Sequence, residues 1–374
     1  MKILFYIPKL DRGGPDRVIA SLANALSHQN VTIHILVQET GGHYWQNLDS
    51  FIERSCLPLE ESSTAKSAYP IRAYAAHVRS IKPDIVLSTL RSTTTSGIAK
   101  LIRQANIPLV LRPANHLSQG GRSLFKKSPL KHSISWAVKA TCLHIADHII
   151  CQSQDLYDDF RRYRVPENRM SVIGNPIALP SSSILDNLPH PKLSGAPCLV
   201  AVGRLTYQKG FDILINAVNR LKNSHPDLNL YILGEGEDRP ILEGQIRHLG
   251  LTRQIFLKGY TENPEAWMAN ADFVISSSRY EGFPNVILEA LACGTPVIAT
   301  NCPGGTRELV VPGLSGWLCK PESPVALAQT IAKAWNSKSL EPEKIRKFIQ
   351  SNFSCQIIGQ KYLDLFHRIV AEKR

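Results

Sequence analysis

The chain has 374 residues, too many for one ordinary domain and suited to two of about 150–200 residues each. Hydrophobic residues make up 43% and charged residues 20%, which excludes a disordered, collagenous or disulfide-scaffold protein. The net charge of +12 is uneven: residues 1–176 hold 22 basic and 13 acidic side chains, residues 177–374 hold 21 and 18.

In chain order, the first element is the apolar run Ile3–Ile7, too short for a signal peptide and read as a buried strand. Val31–Val37, Ile85–Ser88, Pro108–Leu111 and His148–Cys151 follow as short, β-branched-rich strands. Helical periodicity separates them, as in Val18, Ile19, Leu22, Ala23 and Leu26, or in Tyr74, Ala75, Val78 and Ile81. Residues 174–197 are rich in Pro, Ser and Gly and contain the expected linker, 177–196. The alternation then restarts with strands Cys198–Val202, Leu228–Leu233, Ile255–Leu257, Phe273–Ser276 and Pro296–Ala299. Helices are expected from near Asp212, Arg239, Pro264, Pro284 and Gly305, then over Ser323 to about Trp335, and finally as a terminal amphipathic helix. Strands apolar throughout, with helices between them, imply parallel sheets covered on both faces. Two such domains place a ligand between their strand C-termini. The expected division is 1–176, with a terminal helix of about 355–374 packed back on it, and 197–350.

No run of 18 apolar residues occurs, so no spanning helix is expected. The eight cysteines form no C-x-x-C and no zinc-like cluster; they read as small buried hydrophobes in a reducing cytosol, with no metal. Between Asp84 and Asp147 there is no acidic residue but nine basic ones, among them Arg112, Arg122, Lys126, Lys127 and Lys131. Such a field, interleaved with Leu124, Phe125 and Trp136, suits anionic lipid head groups; a solvated basic loop and helix is the plainer alternative. Nucleic acid is not expected, because no helix-turn-helix, RNP or OB pattern accompanies the charge.

Three blocks carry chemistry. Leu10-Asp11-Arg12-Gly13-Gly14-Pro15-Asp16-Arg17 joins the first strand to the first helix, and its glycines allow backbone to approach a phosphate. It lacks the G-x-G-x-x-G spacing of dinucleotide binders. Gly203-Arg204 through Lys209-Gly210 sets two cations at a strand's C-terminal end, either an anion clamp or solvated loop charges. Glu281-Gly282-Phe283-Pro284-Asn285-Val286 leads from a strand into a helix that carries Glu289, and aims free backbone N–H groups out of the sheet edge. Glu289 stands ~7.5 Å along that helix from Pro284 at 1.5 Å per residue, too far for the two carboxylates to share one proton. Apolar neighbours of Glu289 argue that its charge has a partner. Gly234-Glu235-Gly236-Glu237-Asp238 reads as a tight turn, since its carboxylates repel pyrophosphate.

Together, Gly13-Gly14-x-Asp16-Arg17, Gly203-Arg204 with Lys209-Gly210, Gly234-Glu235-Gly236, Glu281-x7-Glu289 and Gly294-Thr295-Pro296-Val297 resemble the retaining glycosyltransferases of family 4, in order and spacing over nearly the whole chain. The resemblance implies the GT-B fold, two Rossmann-like α/β domains facing across a cleft. It implies transfer of a hexose or N-acetylhexosamine from a nucleoside-diphosphate sugar, expected to be UDP-linked, to a lipid-linked or cell-surface glycan, with same-face displacement and neither metal nor cofactor. Arg204 and Lys209 would hold the diphosphate, with Gly14 approaching it, and Glu289 the ribose. Glu281 and the N–H groups of Gly282, Phe283 and Asn285 would grip the sugar, and Val286 would border the base. Pro15-Asp16 departs from the commoner Ala-Glu. After the strand ending near Leu111, His116 is the candidate for contact with the reacting sugar, with Arg112 or Asn115 as the alternative. A cytoplasmic protein, peripheral on the inner membrane face, follows from the lipid-linked acceptor. Other possibilities are a non-catalytic nucleotide-sugar-binding subunit, a GT-B epimerase or a phosphorylase.

Overall fold

A computed structural model describes residues 1–373 apart from 12, 59–68, 91, 103–106, 115–128, 181–196 and 338. The chain divides into two compact units: residues 1–176 joined by 355–374, and residues 177–354.

The first unit is built on seven parallel strands: β1 (Lys2–Ile7), β2 (Thr32–Val37), β3 (Glu53–Cys56), β4 (Ile85–Thr89), β5 (Leu109–Arg112), β6 (His148–Cys151) and β7 (Met170–Val172). Their spatial order is β3-β2-β1-β4-β5-β6-β7. Phe5 of β1 lies opposite Ile35 on one side and Leu87 on the other. Strand alternation sends Ile3, Phe5 and Ile7 to one face and Leu4 and Tyr6 to the other. The first face is covered by helix Gly14–Ser27, through Ile19, Leu22 and Leu26, and by the last helix, Cys355–Lys373, through Ile358, Tyr362, Phe366 and Ile369. Each such buried side chain contributes about 1.5–3 kcal/mol.

The second unit holds six parallel strands: β8 (Cys198–Val202), β9 (Asn229–Leu233), β10 (Ile255–Gly259), β11 (Phe273–Ser276), β12 (Val297–Thr300) and β13 (Gly316–Cys319), ordered β10-β9-β8-β11-β12-β13. Val200 of β8 faces Tyr231 of β9 and Val274 of β11. Leu199 and Ala201 pack with Leu214, Val218 and Ile331; Val200 and Val274 pack on the other side with Leu288, Leu291, Ile345 and Ile349.

Three strands are absent from the sequence reading: β3, β7 and β13. All three are sheet edges, and their burial is partial, as in Glu53–Cys56, where two residues are exposed and two half-buried. With one neighbour each, they need no continuous apolar run. A helix over Pro342–Phe353 also occupies a stretch that reads as merely polar; only Ile345, Ile349 and Phe353 of it are buried.

Candidate active site

In both units the strand order reverses beside the first strand, between β1 and β4 and between β8 and β11. Loops leaving neighbouring strands in opposite directions open a crevice there, the usual ligand position of doubly wound sheets. In the second unit the two loops are 203–210, after β8, and 277–284, after β11.

Their contact depends on a glycine. Gly210 has φ +63°, and a Cβ on it would lie 2.2 Å from the carbonyl oxygen of Ser277. Any side chain there would push the loops apart. Bonds then stitch them together: Ser277 Oγ donates to the Lys209 carbonyl at 2.9 Å, Arg279 N to the Gln208 carbonyl at 2.8 Å, and Gln208 Nε2 to the Tyr280 carbonyl at 3.0 Å. The Arg279 guanidinium meets both oxygens of Asp212 at 2.9 and 2.7 Å and lies 3.9 Å over the Tyr207 ring.

This stitching aligns the charges. Lys209 Nζ reaches Glu281 Oε1 at 2.6 Å, with side-chain exposures of 20% and 8%. Ser278 Oγ donates to the same oxygen at 2.6 Å. The Glu281 N–H is bound to the Pro303 carbonyl at 2.9 Å. Arg204, at the mouth of the β8 loop, is exposed and makes no ion pair among the described residues. The pair of cations expected from the sequence is therefore asymmetric: one is open to an anion, the other already neutralised. Burial raises the thiol of Cys302, with the Glu281 charge adding to it, to a pKa of about 11, so this neighbour stays a neutral packing group.

The helix after Glu281 runs over Asn285–Ala292, with Pro284 as its N-cap. The N–H groups of Gly282, Phe283 and Val286 have no acceptor among the described residues, whereas that of Asn285 is donated to the Phe283 carbonyl at 3.0 Å. The amide expected from Asn285 is thus already occupied. The Phe283 side chain is buried, 6.1 Å between ring centroids from Phe353, and packs into the core of the second unit. Glu289 is buried on the same helix.

In the first unit, Gly14 is the first residue of helix Gly14–Ser27, and Asp16 Oδ2 accepts the Gly13 N–H at 3.3 Å. Burial raises the Asp16 pKa. His116, Arg122, Lys126 and Lys127 lie outside the described residues; Lys131 falls within helix Pro129–Ile145. Arg112 does not belong to the surface patch expected of it. It is 2% exposed: Nε donates to Tyr362 Oη at 3.0 Å and Nη2 to Asn175 Oδ1. The last helix brings Tyr362 onto the end of β5, which the local sequence around Arg112 does not reveal. Exposure of Trp136, at 36%, leaves one aromatic of that stretch at the surface.

The sequence reading missed Ser278, Arg279 and Asp212. Ser278 stands three residues before Glu281, a spacing at which a hydroxyl reaches back within one turn of loop; Asp212 sits in the first turn of the helix that follows Lys209.

Two doubly wound parallel units with a cationic, N–H-rich loop pair at a switch point define the GT-B architecture. Residues 188–353 match the family model for glycosyl transferases group 1, and residues 12–179 that for glycosyltransferase family 4. The chain belongs to the family 4 glycosyltransferases. It is 25% identical over 364 residues to the lipopolysaccharide core biosynthesis glycosyltransferase LpsE of Rhizobium meliloti, covering 94% of this chain and 95% of that protein. It is 36% identical over 149 residues to N-acetylgalactosamine-N,N'-diacetylbacillosaminyl-diphospho-undecaprenol 4-alpha-N-acetylgalactosaminyltransferase of Campylobacter jejuni, covering 40% of this chain and 39% of the relative. The chain spans about two fifths of the length of two such curated relatives. The structure of HepE from Anabaena in complex with UDP and glucose shares the fold, with a TM-score of 0.80 at 22% identity over 98% of this chain and 100% of that one. No helix among the described residues is long and apolar enough to cross a membrane.

Proposed function

We propose that the chain transfers a hexose or N-acetylhexosamine from a nucleoside-diphosphate sugar, with UDP as the nucleotide, to a lipid-linked glycan, with retention of configuration. The observation that carries this reading is the loop pair of the second unit: an exposed arginine, a lysine–glutamate pair and open N–H groups at one strand edge. Arg204 and Lys209 take the diphosphate and offset the charge that grows on it as the glycosidic bond breaks. Glu281 accepts hydroxyls of the sugar, helped by the Gly282 and Phe283 N–H groups, and Glu289 takes the ribose. The acceptor attacks from the face the diphosphate leaves, and a departing phosphate oxygen takes its proton. Cations and backbone donors do this work without a divalent ion.

A lipid-linked acceptor is supported by the names of the Campylobacter and Rhizobium relatives and by the eight basic residues that remain between Asp84 and Asp147 once the buried Arg112 is set aside. The UDP and glucose in the Anabaena structure favour a UDP-sugar. The reading is tested by thermal shift with UDP, GDP, CDP, ADP and NAD, each with and without EDTA. A ligand at 100 times its Kd stabilises the fold by about 2.7 kcal/mol. The expected result is a shift with UDP that EDTA leaves unchanged. A shift with GDP alone moves the donor to GDP-sugars, and no shift with any of them overturns the reading.

A further inference from the structure

We infer that Lys209 and Glu281 form an ionic latch that only an intact donor, diphosphate and sugar together, opens without penalty. The inference rests on the reading of this loop pair as a nucleotide-sugar site and goes beyond it, because it assigns the two residues a joint action before any ligand arrives.

The lysine expected to hold a diphosphate is already engaged: its ammonium sits 2.6 Å from Glu281 Oε1, and that carboxylate is 8% exposed. Separating the two by backbone movement would break several bonds. The loops that carry them are joined through Ser277, Gln208 and Arg279, and Arg279 is itself held by both oxygens of Asp212. Only the side chains are left to rearrange. Ser278 Oγ, bound to the same Oε1 at 2.6 Å, keeps the carboxylate in place when the lysine leaves.

A diphosphate anchored on Arg204 draws Lys209 toward itself. Glu281 is then a buried carboxylate that has lost its counter-charge, an arrangement far costlier than the pair. A sugar hydroxyl donating to Oε1 takes the place of the ammonium and removes that cost. An intact donor therefore satisfies both halves of the broken pair, whereas a bare nucleoside diphosphate satisfies one. After transfer the bound product is of the second kind, and re-formation of the Lys209–Glu281 pair favours its release.

The test is calorimetric binding of UDP and of GDP to four forms of the full chain: unaltered, Glu281→Gln, Lys209→Met, and the double variant. Glu281→Gln frees Lys209, and the expected result is nucleoside-diphosphate binding at least 10-fold tighter than in the unaltered chain. In the Lys209→Met background the same change is expected to have no effect, giving a non-zero coupling in the double-mutant cycle. If Glu281→Gln binds no tighter, or tightens binding equally in both backgrounds, the latch is overturned; the second outcome leaves simple charge repulsion. If all four forms melt cooperatively and none binds either nucleotide, the nucleotide-sugar reading itself fails and the latch with it. Should Glu281→Gln unfold, Glu281→Asp keeps the charge but draws it back by one methylene. It is then expected to tighten binding in the same background-dependent way, and its failure to do so counts against the latch equally.

Discussion

Arg112 and Arg204 stand in nearly the same local setting and meet opposite fates. Each stands at the C-terminal end of an apolar parallel strand, Arg112 as the last residue of β5 and Arg204 just beyond β8. Arg112 is 2% exposed and bonded to Asn175 and Tyr362; Arg204 is exposed, with no ion pair among the described residues. The difference comes from what the rest of the chain delivers. The last helix returns to the first unit and lays Tyr362 against the end of β5, 250 residues away in sequence. No described residue of the second unit buries Arg204. A cation at a strand end is therefore a ligand group only where no later segment has claimed it.

That comparison can be broken most directly by Arg112→Ala. It removes two buried hydrogen bonds, to Tyr362 Oη and Asn175 Oδ1, and leaves a cavity, so it is expected to destabilise the fold by about 3 kcal/mol. Urea unfolding measures this, and a change within 0.5 kcal/mol, the ordinary size for a surface substitution, would return Arg112 to the surface. Arg204→Met should do the reverse. Its unfolding midpoint stays unchanged, while affinity for the nucleotide that shifts the unaltered chain falls about 10-fold, as expected for losing a charge-assisted contact of about 1.4 kcal/mol. Equal affinity in the variant would remove Arg204 from the site.

The smallest effect sharpens the comparison at the N-terminal ends of the strands, where His148 opens β6. Burial, helped by the Arg368 charge, lowers its pKa from 6.5 to about 4, and Nε2 is 2.8 Å from Ser171 Oγ. Unfolded, the imidazole takes a proton near pH 6.5; folded, it does so only near pH 4. Its contribution to stability is thus complete above pH 6.5 and is lost as the pH falls toward 4. Melting temperatures measured across that window should decline for the unaltered chain and less steeply for His148→Gln. Parallel curves would show that His148 is not the group responsible.

Much of the architecture was legible because interior parallel strands are buried on both faces and must be apolar throughout. Ile3–Ile7, Cys198–Val202 and Phe273–Ser276 could be found from residue type alone. The edges could not: Glu53–Cys56 and Met170–Val172 each have one neighbour and keep polar residues. Helix Pro342–Phe353 shows only Ile345, Ile349 and Phe353 to the core, a stripe narrow enough to vanish among charges. At the site, the positions of Glu281, Lys209 and Arg204 followed from glycines and prolines that punctuate strand and helix. Their pairing did not, since Lys209 and Glu281 are 72 residues apart.

By itself, then, the sequence determined the repeated strand–helix alternation, the loops in which chemistry is concentrated, and the resemblance to family 4 glycosyltransferases. Those are local properties, written in hydrophobic period, backbone-permissive residues and short motifs. Only the tertiary structure decided which charges remain available: Lys209 bound to Glu281, Arg112 enclosed by Asn175 and Tyr362, Arg204 left open. A charged side chain must find either water or a partner. Which one it finds depends on segments brought together by folding, whose separation along the chain no local pattern encodes.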